Sequence, residues 1–103
     1  MKRVINGRLY DTETTELVAA AEGGGYRSNF SYWEERLYRT RAGEYFIAGS
    51  GNASSRYSQP VGNNCRGAGE GLRVITEADA LAWCEQNEID PDVIAELFAV
   101  EAG

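Results

Sequence analysis

Apolar and polar positions alternate in short stretches over the first half of the chain and change to a helical spacing near its end. Val4-Ile5 and Leu9-Tyr10 flank Asn6-Gly7. Asn-Gly suits the two positive-φ positions of a tight turn, so this segment predicts a small hairpin. Tyr32 to Thr40 is aromatic and partly alternating, and Glu44-Tyr45-Phe46-Ile47-Ala48 reads as its return strand. Arg41-Ala42-Gly43 joins them, with Gly43 suited to the left-handed position of a bulged turn. A three-residue loop sets Leu37 opposite Ile47 and Tyr38 opposite Phe46, and the two pairs lie on opposite faces. Thr15 to Glu22 is alanine-rich and open to either helix or strand; it reads as a strand because it lacks a helical stripe and its neighbours read as sheet.

Gly49 to Gly71 is rich in Gly, Ser and Asn and nearly free of aliphatics, which predicts a long loop over 50–71. Leu72-Arg73-Val74-Ile75 restores a short strand. Thr76-Glu77-Ala78-Asp79 has the form of a capping box, opening a helix to about Asn87 with Ala80, Leu81, Trp83 and Cys84 on its apolar face. Asp90-Pro91 opens a second helix as N-cap and first residue, with Ile94, Leu97 and Phe98 as its stripe. The expected fold class is α+β: an antiparallel sheet of about four to five short strands followed by two C-terminal helices packed on one face. It forms one domain over 1–103, with a β-rich part (1–49), the polar loop (50–71) and a short strand with acidic helices (72–103).

The length, 103 residues, and a hydrophobic content of 43% suit one modest core. No apolar run approaches the length of a membrane span, and Met1 to Gly7 lacks the apolar stretch of a secretory signal, so a cytoplasmic protein is expected. The chain holds no His, which excludes a Ser-His-Asp triad, a His metal site and a His pH switch. Charge is unevenly divided. All ten cations lie in residues 1–76 beside eight acids, whereas residues 77–103 hold eight acids and no cation. Such asymmetry suits an acidic face directed at a basic partner, although surface acids also serve solubility alone.

Other motifs carry less. Cys65 and Cys84 permit neither a four-cysteine nor a mixed zinc site and are expected as free thiols, Cys84 in the core and Cys65 in a polar loop without a paired base. Gly67-Ala68-Gly69-Glu70-Gly71 precedes a strand rather than following one, and Gly49-Ser50-Gly51 opens no strong helix; both read as flexible turns, not phosphate loops. Glu34 and Glu35, as strand neighbours, point to opposite faces and cannot share a substrate; acid–base chemistry would need another carboxylate such as Glu44. The tyrosines and arginines of the sheet half could stack bases, but its charge of +2 is small for direct nucleic-acid binding. No cofactor, metal site or paired nucleophile and base is expected.

The run Ile5-Asn6-Gly7-Arg8-Leu9-Tyr10-Asp11-Thr12-Glu13-Thr14, the strand Glu34-Glu35-Arg36-Leu37-Tyr38-Arg39-Thr40, the return Gly43-Glu44-Tyr45-Phe46-Ile47, Gly49-Ser50-Gly51, and Ile75-Thr76-Glu77-Ala78-Asp79-Ala80 together resemble a group of short acidic proteins of bacterial phages and mobile elements. Ser54-Ser55-Arg56-Tyr57 keeps an S-x-Y element of that group. The resemblance covers most of the chain, and its motifs carry no chemistry of their own. It implies an inhibitor of a host defence system, an anti-CRISPR protein above all. Its partner would be a CRISPR-Cas effector subunit, blocked from nucleic acid by carboxylates in place of phosphates. The candidate partner-binding residues are Glu77, Asp79, Glu85, Glu88, Asp92 and Glu96. The alternative is a small interaction or adaptor protein, a homodimer through its aromatic sheet.

Overall fold

The computed structural model describes all 103 residues. Lys2–Ile5 (β1) and Arg8–Asp11 (β2) form the expected hairpin, with Asn6 at φ 51° and Gly7 at φ 78° in its turn. Glu16–Gly23 (β3), Trp33–Arg39 (β4) and Tyr45–Gly51 (β5) follow. The ambiguous alanine-rich segment is therefore a strand, and Leu37 and Tyr38 face Ile47 and Phe46 in the expected register. Gly43 takes φ 84° in the turn between β4 and β5.

The segment read as a loop over 50–71 is largely strand. β5 runs on to Gly51, Gln59–Gly62 (β6) and Cys65–Gly67 (β7) make a second small hairpin, and Gly69–Ile75 (β8) begins three residues earlier than the aliphatics suggest. The main sheet is antiparallel with order β3-β4-β5-β8. Its glycines are not flexible turns. Gly49 pairs with Gly71 and Gly51 with Gly69, so four glycines share one face at one end of the β5–β8 ladder. A methyl group on Gly49 would overlap the Tyr57 hydroxyl, and one on Gly69 would overlap the Tyr57 backbone carbonyl. The glycines form a bed on which Tyr57 lies, a close-approach use of glycine that composition alone does not separate from turn chemistry.

Each face of the sheet carries a packed cluster. On one, Leu37, Tyr45 and Ile47 pack against Ala80, Trp83 and Cys84 of a helix over Glu77–Gln86 (α1) and against Phe98, which follows a helix over Pro91–Leu97 (α2). On the other, Tyr38, Phe46, Ala48 and Leu72 pack against Tyr10 of the first hairpin. Tyr38 stacks on Phe46 at 5.0 Å between ring centres and Tyr10 meets Phe46 edge-on at 5.4 Å. Such aromatic pairs contribute about 0.5–1.5 kcal/mol each beyond their buried area. The helices thus cover one face, as expected, and the first hairpin covers part of the other. Tyr38, Tyr45 and Phe46 of the central sheet are buried within the chain, while Trp33 is half-buried.

Both helices begin as their sequences dictate. The Thr76 hydroxyl accepts from the Asp79 amide at 3.1 Å, and the Asp90 carboxylate accepts from the Asp92 amide at 2.9 Å. The end of α1 is unusual. Ile89 N–H donates to Cys84 C=O and Glu88 N–H to Glu85 C=O, the bonding of a Schellman cap. The left-handed residue that this cap requires is Glu88, at φ 53°, where glycine is the common choice.

Candidate functional site

The helical carboxylates come first. Glu77, Asp79, Glu85, Glu88, Asp92 and Glu96 are all exposed. None makes an ion pair; every ion pair of the molecule lies within residues 1–76. They do not form one row. At about 100° of rotation per residue, Glu77 and Asp79 are splayed about 160° apart around α1, while Asp92 and Glu96, four residues apart, share a side of α2. Glu85 and Glu88 cluster at the C-terminal end of α1. There the helix dipole is negative and no cation relieves it, so both stand against local preference.

A second acidic feature lies on the sheet face away from the helices. In the register of the sheet, Glu22 is opposite Glu34, Glu34 opposite Ser50, and Ser50 opposite Glu70. Directly opposed residues share a face, so these four cross all four strands in one row at steps of about 4.8 Å. The Tyr32 hydroxyl donates to Glu22 at 2.8 Å and lies 3.2 Å from Glu34, so its single proton is shared unequally between two carboxylates. The hydrogen bond to Glu22 and burial push the Tyr32 phenol up to about 12. Glu34, Ser50 and Glu70 border a cleft of about 690 Å³, with Arg27, Asn52 and Gln59 completing its polar rim. Its lining sets the carboxylates beside the Arg27 guanidinium, and Glu34 also lies 3.7 Å from an Arg36 nitrogen. No group of three or more His, Cys, Asp or Glu is spaced to hold a metal ion.

Glu35 faces the other way, as strand alternation requires, and is 2% exposed. Trp83 Nε1–H donates to one of its oxygens at 2.9 Å. The other receives the Tyr57 hydroxyl, both terminal Arg73 nitrogens at 3.3 Å, and an Arg56 nitrogen at 3.6 Å. Burial works to raise the Glu35 pKa, but the bonds from Tyr57 and Trp83 and the charges of Arg73 and Arg56 outweigh it and hold the carboxyl below its usual value. Arg56 also lies over the Trp33 ring, 5.6 Å from its centre. This carboxylate is fully partnered and ties sheet, α1 and the 52–58 segment together. It has no free oxygen directed at a ligand.

The remaining sequence candidates are dispersed. Glu44 is held by Arg8 and by the Tyr10 hydroxyl at 3.3 Å, against the first hairpin and away from Glu34. Cys65 is exposed at the start of β7, and Cys84 is buried; both are free thiols. Strand alternation separated Glu34 from Glu35, but the row through Glu22, Ser50 and Glu70 required the pairing of β3 and β8. Comparison with known protein families, curated proteins and solved structures finds no match for this chain.

Proposed function

We propose that the chain is a non-enzymatic inhibitor that binds a bacterial defence complex, with a CRISPR-Cas effector subunit as the partner implied by the phage-protein resemblance. It acts in the host cytoplasm and blocks nucleic-acid engagement with carboxylates offered in place of phosphates. The observation that carries this reading is the helical surface: six exposed acids, none of them ion-paired, with two at a helix end that disfavours them. Carboxylates kept free of internal cations remain available to external ones, and a cationic groove built for phosphates is such a surface. The six acids lie on the helical side, whereas Glu22, Glu34 and Glu70 lie on the opposite face of the sheet. The helical set is the one assigned to the partner. No helix is long and apolar enough to cross a membrane.

The test uses tagged protein and a panel of purified CRISPR-Cas effectors at low and high salt. Capture of one effector, weakened at high salt and in competition with its guide or target nucleic acid, is the expected result, because exposed charges are screened within about 8–10 Å at physiological ionic strength. Capture that ignores salt and nucleic acid would remove the phosphate-mimic mechanism. No capture across the panel would remove the effector as partner.

A further inference from the structure

We infer that β3 is a docking edge, which takes an extended basic segment of a partner protein as a fifth strand of the main sheet. β3 is the longest strand, and no backbone hydrogen bond outside its ladder with β4 involves residues 16–23. Alternate residues along an antiparallel edge turn N–H and C=O outward, so β3 offers unfilled donors and acceptors along about 26 Å. The opposite edge differs: an Arg3 nitrogen donates to the Leu72 carbonyl of β8 at 3.0 Å. The common protections of an edge strand, Lys and Pro, are absent from β3. Its side chains are small through Ala19, Ala20 and Ala21, and Leu17 is 51% exposed.

Charge selects the occupant. Glu16 is neutralised by Arg39 at 2.9 Å, but Glu22 meets only the Tyr32 hydroxyl and no cation. A second copy fits poorly. The full-length antiparallel self-pairing, centred on Ala19, sets Glu16 against Glu22 twice, and directly opposed like charges are unfavourable in a sheet. An incoming strand with Lys or Arg opposite Glu22 supplies both the ladder and the missing cation, the arrangement of peptide recognition by strand addition. This surface is separate from the acidic helices and does not depend on them.

The experiment is amide hydrogen exchange on the full chain with the octapeptide acetyl-(Lys-Val)4-amide, and with acetyl-(Glu-Val)4-amide as its charge-reversed counterpart. Expected are at least tenfold slower exchange at alternate amides of residues 16–23 with the Lys peptide alone, and severalfold weaker binding to Glu22→Gln. Leu17→Lys, at an exposed side chain, leaves the fold intact and weakens the Lys peptide further. Unchanged exchange over 16–23 with the Lys peptide overturns the proposal. So does equal protection by the Glu peptide. Protection without peptide that grows with protein concentration, at dimer mass, assigns the edge to self-pairing and also overturns it.

Discussion

The indole N–H of Trp83 meets the carboxylate of Glu35 at 2.9 Å, in a contact that joins α1 to the middle of the sheet beneath it. The bond turns an otherwise unfavourable buried charge into a fixed point. Trp83→Phe keeps most of the apolar contact and removes only the donor. The expected loss is about 1–3 kcal/mol, the penalty for an under-partnered buried group. Urea denaturation followed through Trp33 fluorescence measures it, and a loss near zero would mean that Tyr57 and the arginines satisfy Glu35 unaided.

Stability should fall at both ends of the pH scale, for opposite reasons. Glu35 has a folded pKa below its unfolded value. Its contribution is therefore present above the unfolded pKa, near 4.5, and is lost as pH falls through the lower folded value. Tyr57 is raised, first by burial and then by its bond to Glu35, from 10.0 to about 12. Its contribution is complete below pH 10.0 and is lost as pH rises toward about 12. Thermal melts of wild type and Tyr57→Phe across this alkaline range should converge as the wild-type advantage disappears.

Glu88→Gly should stabilise the protein. Relief of a left-handed non-glycine residue is worth about 1–2 kcal/mol, offset in part by about 0.5–1 kcal/mol of added backbone freedom in the unfolded chain. The net gain is read by chemical denaturation. If Glu88 serves the partner, the same variant should bind its effector more weakly while melting higher, an opposition that a purely structural residue would not produce.

Converting Glu85, Glu88, Asp92 and Glu96 together to Gln or Asn should reduce inhibition in graded steps as each charge is removed, with a shallower salt dependence. Inhibition assays at two ionic strengths check this. Full potency of the quadruple variant would leave an inhibitor without a charge-mimic mechanism.

Gly49→Ala should destabilise by about 1–3 kcal/mol, the usual effect of overpacking, because the new methyl group collides with the Tyr57 hydroxyl. In a double-mutant cycle the cost of Gly49→Ala should shrink in the background of Tyr57→Ala, which removes the whole ring, if the collision is its cause. Gly7→Ala provides the contrast: its Cβ meets nothing, so any loss comes from its φ of 78° alone.

Legibility in the sequence followed the reach of local chemistry. The register of Leu37 on Ile47 could be counted from a three-residue loop ending in Gly43, and both helix starts were spelled by Thr76 and Asp90. The 50–71 segment misled because strands made of Gly, Ser and Asn carry no hydrophobic period; Gly49 and Gly69 are small to admit Tyr57, and Gly51 to admit Ser55, residues that pair with none of them. Alternation set Glu35 on the face opposite Glu34 but gave no sign of its burial, since its partners come from segments remote in the chain. The row from Glu22 to Glu70 was hidden for a related reason. Residues 24–32 between β3 and β4 spell no recognisable turn, so the register of β3 could not be counted.

Glu35 also bears on the order of folding. Tyr57, Arg73 and Trp83 stand 22, 38 and 48 residues away from it in the chain. Each contact requires closure of a long loop, which local hairpins such as β4–β5 do not. If the cluster assembles only after the rate-limiting barrier, once β8 and α1 have arrived, its contacts are absent from the transition state. Interactions formed that late leave the folding rate almost untouched and act on the unfolding rate instead. Trp83→Phe should then speed unfolding and leave the folding rate almost unchanged, a split that the two arms of a chevron plot would read.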